Sequence, residues 1–545
     1  MHQRLAIIAD PHLHDVRGTY RGDRIAAGCL PGGMELRTLA DTVQSTRLFN
    51  ESEANFRAVL DDIAARGIRH VIVVGDYSDD GQDESVAASL ALMQSYAGRF
   101  GMQFFSTVGN HDVYAYCGRS LDRSFLLADG GAFLVSGSKP DGEGVLFNPA
   151  MRCRSYAESL PRGLGFFRSG TELHWESPFG PSDDLADRQY TLASPDGRHV
   201  RSFVDASYLV EPVEGVWLLS IDGNVFVPRD GDFALAEDEF DDSTDAGYNA
   251  LVAHRPYMLE WIADVSRRAA RLGKRLVSFA HYPAVDPFDG TFDDEQRLFG
   301  RTIFVRRTPT RATAALLARA GLRLHFSGHL HIDNVSRQDG IVNVAVPSTA
   351  GYPGGYRLLT LTEDGAELET VRIAGLPVDP SILSAYRREV AESGLAVGDL
   401  LEARDFDAFA IRHLREVVHH RFFTKEWTRE AQVAIQRMTL ADIACEAVPS
   451  LPAGRLAQFA AIPAMRLVEA IYIARHNAAW RMEMPGQERA VFDALLEVCG
   501  MPEGEGLAAS LVRMLRRHFW KDDVRRIAFS RDWEVLAEGD GRSAA

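Results

Sequence analysis

Cysteine is scarce: five in 545 residues (Cys29, Cys117, Cys153, Cys445 and Cys499), with no pair in a CxxC spacing. That excludes a disulfide frame and a thiolate zinc site and leaves reduced, structural thiols as the expectation. No stretch approaches eighteen consecutive apolar residues, so no membrane span is expected. The opening "MHQRLAIIADPH" enters a short apolar strand without the long hydrophobic region and small-residue cleavage site of a secretory leader, which points to the cytoplasm. Positive charge is also short. Lys and Arg number 59 against 76 Asp and Glu, a net charge of −17. General nucleic-acid binding needs a basic face to displace counterions and is therefore disfavoured. The run "RRHFWKDDVRR" (Arg516 to Arg526) is interrupted by acids and reads as a solvated helix face.

What is present is the composition of a globular chain, 46% hydrophobic and 25% charged, too long for one core. The first 110 residues alternate strand and helix. "LAIIAD" is a strand; "ESEANFRAVLDDIAARG" puts Phe56, Leu60 and Ile63 on one helical face and stops at Gly67. "HVIVVGD" reads as a strand buried on both faces, and a second helix leads to the strand "MQFFSTVGN". This β-α-β-α-β order predicts an α/β sandwich. From about Arg119 to Glu214 the pattern loosens into an expected insertion, with a hairpin at Asp196-Gly197. "GVWLLSIDGN" resumes the core, a helix follows near Leu251 to Leu272, and then come the strands "RLVSFAH", "LRLHFSGH" and "GIVNVAVP". The expected division is an α/β domain over residues 1–375 and, over 380–545, a mainly α-helical part that is either a separate domain or an extended appendage.

In open α/β sheets function collects at the carboxyl ends of the strands. Here each core strand ends in a candidate ligand: Asp10 and His12 in "ADPHLH", Asp76 in "GDYSDDG", Asn110 and His111 in "GNHD", His281 in "FAHYP", and His329 and His331 in "GHLH". Each signal alone is weak, since a strand-end Asp is often a helix cap and a lone His is often a satisfied core residue. Carboxylate, imidazole and amide oxygen together suit a pair of divalent first-row ions. The crowding of Asp76, Asp79 and Asp80 in an already anionic chain points the same way, because two such ions bring four positive charges. His14, Asp15, Tyr282 and the loop "PSTAGYPGGY" lie near these motifs and are weaker candidates; a surface role is expected for His14 and Asp15. His419 and His420 read as packing or surface residues.

The ordered set of five motifs resembles the calcineurin-like metallophosphoesterase superfamily over about residues 4 to 350. The resemblance implies a four-layer α-β-β-α sandwich and two metal ions, Mn, Fe or Zn. One would be held by Asp10, His12 and His331, the other by Asn110, His281 and His329, with Asp76 bridging. It further implies a phosphate-ester substrate attacked in line by a hydroxide held between the ions, with His111 as acid or transition-state stabiliser and Asp79 fixing its ring. Asp80 stands where phosphoprotein phosphatases carry a phosphate-gripping Arg, so phosphodiesters are expected ahead of monoesters. A nucleotidase, a nuclease and a non-catalytic scaffold are the alternatives.

Overall fold

Strands covered on both faces carry no polar alternation, and the central strands behave so. In the computed structural model, which describes residues 3–21, 30–139, 144–240 and 246–539, Gln3–Ile8 and His70–Val73 are buried from Leu5 and Val71 onward. They pair in parallel with each other, and His70–Val73 pairs in parallel with Gln103–Ser106. The connecting helices Ser52–Ala65 and Asp83–Phe100 are followed by the left-handed glycines Gly67 and Gly101. Phe56, Leu60 and Ile63 lie on the buried face of the first helix, as the sequence predicts. Tyr356–Leu361 and Gly365–Val371 extend the same sheet in antiparallel fashion.

A second seven-stranded sheet runs in the order Asn334–Gln338, Ile341–Ala345, Leu324–Ser327, Arg275–Ala280, Val216–Ile221, Tyr208–Val213 and His174–Glu176. Period-two alternation decides which side chains face which layer. Leu218, Phe279, Phe326 and Val344 join the core shared with the first sheet, whereas Leu219, Ile221 and Ala280 pack under helices Tyr257–Leu272 and Arg311–Arg319. Helices therefore cover both outer faces, giving the four-layer sandwich.

Two expectations are corrected and a third is sharpened. The helix expected over Leu251 to Leu272 is two, Tyr248–His254 and Tyr257–Leu272, because Pro256 cannot donate into a continuous ladder. The insertion is narrower than 119–214: its hairpin Gln189–Ala193 and Val200–Val204 forms at the expected turn, but His174–Glu176 and Tyr208–Val213 already belong to the second sheet. The tail is mainly helical, as expected, but it ends in two strands, and it packs on the first part of the chain as an appendage. Its helices share a core with Leu36, Leu39, Val43 and Leu48. Its end returns as Arg526–Ser530 and Val535–Gly539, pairing beside Gly365–Val371 with Ile527 and Phe529 turned inward. Among the described residues no helix is long and apolar enough to cross a membrane. Cys117, Cys153, Cys445 and Cys499 are free thiols; Cys29 lies outside the described residues.

Candidate metal centre

The strand-end loops turn more sharply than ordinary residues allow. Of the nine non-glycine residues with positive φ among those described, six are here: Asp10, His12, Asp76, Asp80, His329 and His331. Such backbone persists only where the surroundings over-determine it, and it clusters at functional sites. The neighbouring glycines are obligatory. A Cβ on Gly109 would sit 2.0 Å from Asp76 Oδ1, and one on Gly328 would sit 2.6 Å from Asp10 Oδ2.

Backbone groups then aim the carboxylates. His329 N–H donates to Asp10 at 2.9 Å and His111 N–H to Asp76 Oδ1 at 2.8 Å. Asp112, the last residue of "GNHD", accepts from the N–H groups of Asp76 (2.7 Å), Ser78 (3.1 Å) and Gly109 (3.0 Å), tying two loops together. Burial, together with Asp76, pushes Asp112 up to about 7.

Two histidines are oriented as ligands are. A ligating imidazole usually gives its second N–H to a carbonyl. His281 Nδ1 is 2.9 Å from Val74 O and His331 Nδ1 is 3.2 Å from Thr46 O, leaving both Nε2 atoms for the cavity. His281 Nε2 lies 3.1 Å from Asp76 Oδ2 and 3.1 Å from Asn110 Oδ1. His331 Nε2 lies 3.0 Å from His12 Nε2 and 3.8 Å from Asp10 Oδ1. Burial lowers His12 and His329 and takes His331 down to about 3, so these rings stay neutral with lone pairs to offer. Burial also opposes charge on His281, but Asp76 outweighs it and pushes that ring up to about 9. Burial works against the Asp76 charge as well, while His281, His111 and His12 hold it well below the usual carboxylate range.

Asp10, His12 and His331 bring one ligand atom each within 4.8 Å of one another, as do Asp76, His281 and His329, and His12 stands also with Asp76 and His111. His12 Nδ1 is buried with no hydrogen-bond partner among the described residues, and the His12 and His331 nitrogens face each other. Converging oxygen and imidazole donors without a thiolate fit divalent first-row cations. All seven residues proposed from the strand ends as ligands are thus brought to one place.

The expected role of Asp79 is corrected. His111 Nδ1 meets Asp80 Oδ1 at 2.5 Å, whereas Asp79 accepts from Arg37 (3.0 Å) and Arg47 (2.7 Å). Asp80 also receives Arg47 at 3.0 Å and both Nε and Nη2 of Arg123. The tight turn at Asp80, with φ +58°, is what swings its carboxylate rather than that of Asp79 toward the ring. His14 is corrected too: it is buried, stacked on Tyr20 and bonded to Glu35 O, away from the surface. Tyr282 packs against His281 and His329 and donates to Asn224, and Ser348 of the glycine-rich loop donates to Asp10 O; they support the site from behind. His419 pairs with Glu469 on the tail, as expected of a packing residue.

His12, Asp76, Asn110, His111, His329 and His331 line one cavity of about 590 Å³. Its walls carry Arg37, Arg47, Arg123, Arg307, Arg421 and Lys425, with Phe49, Tyr114 and Phe304 between them. These basic residues fall in no motif, and only the unbalanced acids Asp79 and Asp80 hinted at them. Arg421 and Lys425 come from the tail, which therefore overhangs the site.

A family model described as calcineurin-like phosphoesterase matches residues 3–333. No curated protein matches significantly. Solved structures with some likeness include a dimetal phosphatase from Danio rerio (12% identity, 68% of this chain and 96% of that chain, TM-score 0.31). The anchor in the inner membrane complex of Plasmodium follows (11%, 68% and 84%, 0.29), and a phosphopantetheinyl hydrolase from Mycobacterium tuberculosis is more distant (12%, 64% and 90%, 0.24).

Proposed function

The chain belongs to the calcineurin-like phosphoesterase family, and we propose that it hydrolyses a phosphate ester of a small organic substrate, a diester ahead of a monoester. The observation that carries the reading is the convergence of donor atoms from five strand ends in three groups, each within 4.8 Å and linked through His12 and Asp76. Asp10, His12 and His331 would hold one divalent cation and Asn110, His281 and His329 a second, with Asp76 shared. Such a pair supplies Lewis acidity toward the phosphoryl oxygens and acidifies water.

The chain's own groups do the rest. His111 lines the cavity with Nδ1 against Asp80, so its Nε2 can carry a proton to the leaving oxygen. Asp80 is a positioning residue that acts through the ring. Arg47 and Arg123 hold Asp80 in turn, so their charge is largely neutralised and the floor offers little extra grip for a dianion, which favours the diester. A monoester is the second reading, favoured by Arg307, whose Nη1 lies 3.0 Å from His329 Nε2.

The test is metal removal by chelator and restoration of Mn²⁺, Zn²⁺, Fe²⁺ or Ni²⁺ singly, followed by hydrolysis of a bis-aryl and a mono-aryl phosphate. Restored turnover that Asp76→Asn lowers by about a thousandfold or more is expected. No turnover with any metal defeats the reading, and a monoester preference moves it to the second.

A further inference from the structure

The tail does more than cover the site. Helix Phe406–Val417 continues as a π-helix, Val418–Glu426, a rare i→i+5 form frequent at functional sites. Its register is pinned from the apolar side: Val418, Phe422 and Phe423 are buried, and Phe422 stacks on Tyr472 at 4.6 Å between ring centroids. The opposite side delivers Arg421, Lys425 and Glu426 to the cavity that holds the candidate metal centre.

Arg421 is partly buried, yet its guanidinium makes no hydrogen bond or ion pair among the described residues; it lies over the Phe422 ring at 5.8 Å. A guanidinium facing a cavity with its five donors unmatched by protein acceptors is free to take an anionic partner there. Two charged groups bear on it. Arg47 opposes it, and Glu426 on its own helix is the one acid near it. Burial pushes Glu426 up to about 7, which leaves it a weak counterion. Lys425 reaches only the neutral Gln44 Oε1, at 2.9 Å. The tail thus brings to the cavity two cations without full counterions, whereas the arginines beside His111 are already matched by Asp79 and Asp80.

We propose that the cavity selects phosphate esters carrying a second phosphoryl group, received by Arg421 with Lys425 while the scissile ester lies at the strand-end ligands. The proposal rests on the phosphoesterase reading above and deepens it. A forked guanidinium grips phosphoryl oxygens two at a time, and a lysine adds charge without fixing direction. The cavity volume of about 590 Å³ is in the range that small-molecule sites have.

The experiment is equilibrium binding to the Mn²⁺-loaded full chain, by calorimetry. The probes are alkane-α,ω-bisphosphonates of three to six carbons, each set against the alkylphosphonate of equal length. Wild type should favour at least one bisphosphonate about tenfold or more over its partner. Arg421→Gln should cut that preference about tenfold to a hundredfold, and Arg421→Lys should restore part of it. Lys425→Gln, on an exposed side chain that the fold tolerates losing, should cut it about twofold to threefold. A preference unchanged in Arg421→Gln, no preference at any length, or tighter Arg421-dependent binding of single-stranded DNA would overturn the proposal. The readout needs no turnover. Arg421-dependent preference in a protein that hydrolyses nothing would sink the catalytic reading alone, and hydrolysis without preference would sink the proposal alone.

Discussion

Asp80→Asn separates positioning of His111 from simple charge balance. The Asp80 side chain is 1% exposed and meets three partners: His111 Nδ1 at 2.5 Å, Arg47 at 3.0 Å, and Arg123 through two nitrogens. Removing one member of a buried pair costs about 3–5 kcal/mol. Arg47 keeps Asp79 at 2.7 Å, so Arg123 is the main loser and the lower end, about 3 kcal/mol, is expected in urea unfolding. An amide cannot hold an imidazole as a carboxylate does, so kcat for an aryl phosphate should fall about 10²–10³-fold. Asp79→Asn breaks the pairs with Arg37 and Arg47 at similar cost in stability, yet it does not touch the ring, and its kcat loss should stay below about tenfold. If Asp80 acts through His111, then Asp80→Asn added to His111→Ala should cost little more than His111→Ala alone. Additive losses, or a larger kcat loss in Asp79→Asn, would refute the geometry of the pair.

Metal loading should raise the thermal midpoint by linkage, about 2.7 kcal/mol at a hundredfold excess over Kd, and Asp10→Ala should lose most of that shift in calorimetry with and without chelator. Glu51 is buried with no ion-pair partner among the described residues, and burial pushes it up to about 8 from 4.5. The folded state then keeps a proton that the unfolded state gives up, so stability falls between about pH 4.5 and 8. Glu51→Gln should flatten that fall and gain a few kcal/mol at pH 8.5 in denaturant titrations; a parallel curve would exclude burial of a charge. Glu389 on the tail accepts from the N–H groups of Leu39 (2.7 Å) and Ala40 (3.0 Å), so Glu389→Ala should cost about 1–2 kcal/mol, and a change near zero would mean the tail docks without it.

The central fold was legible because two-sided burial leaves a plain mark: "HVIVVGD" has no polar alternation, and Gly67 and Gly101 stand where helices must stop. What failed was local pattern under long-range competition. "RIAFS" is only five residues long and sits beside helical sequence, so nothing near it announces that Ile527 and Phe529 pair with a strand about 160 residues earlier. Likewise "YLV" at Tyr208 looks like one more strand of an insertion until the second sheet supplies its partner.

The candidate ligands were legible for a different reason than the arginines were not. A metal ligand must sit within one or two residues of a strand end, so its position and its neighbours are constrained and a spacing results. A guanidinium reaches its target on a long flexible stem, and Arg37, Arg47, Arg123 and Arg421 arrive from a loop, an insertion strand and the tail with no spacing in common. Charge was the signal available, and it misleads when read whole. The crowding of Asp76, Asp79 and Asp80 argues for a cation partner to each: Asp76 faces imidazoles, Asp79 is answered by arginines, and Asp80 by two arginines together with the His111 ring. An acidic strand end therefore counts counter-charges rather than metals. Their kind follows from whether histidines or arginines converge on each carboxylate.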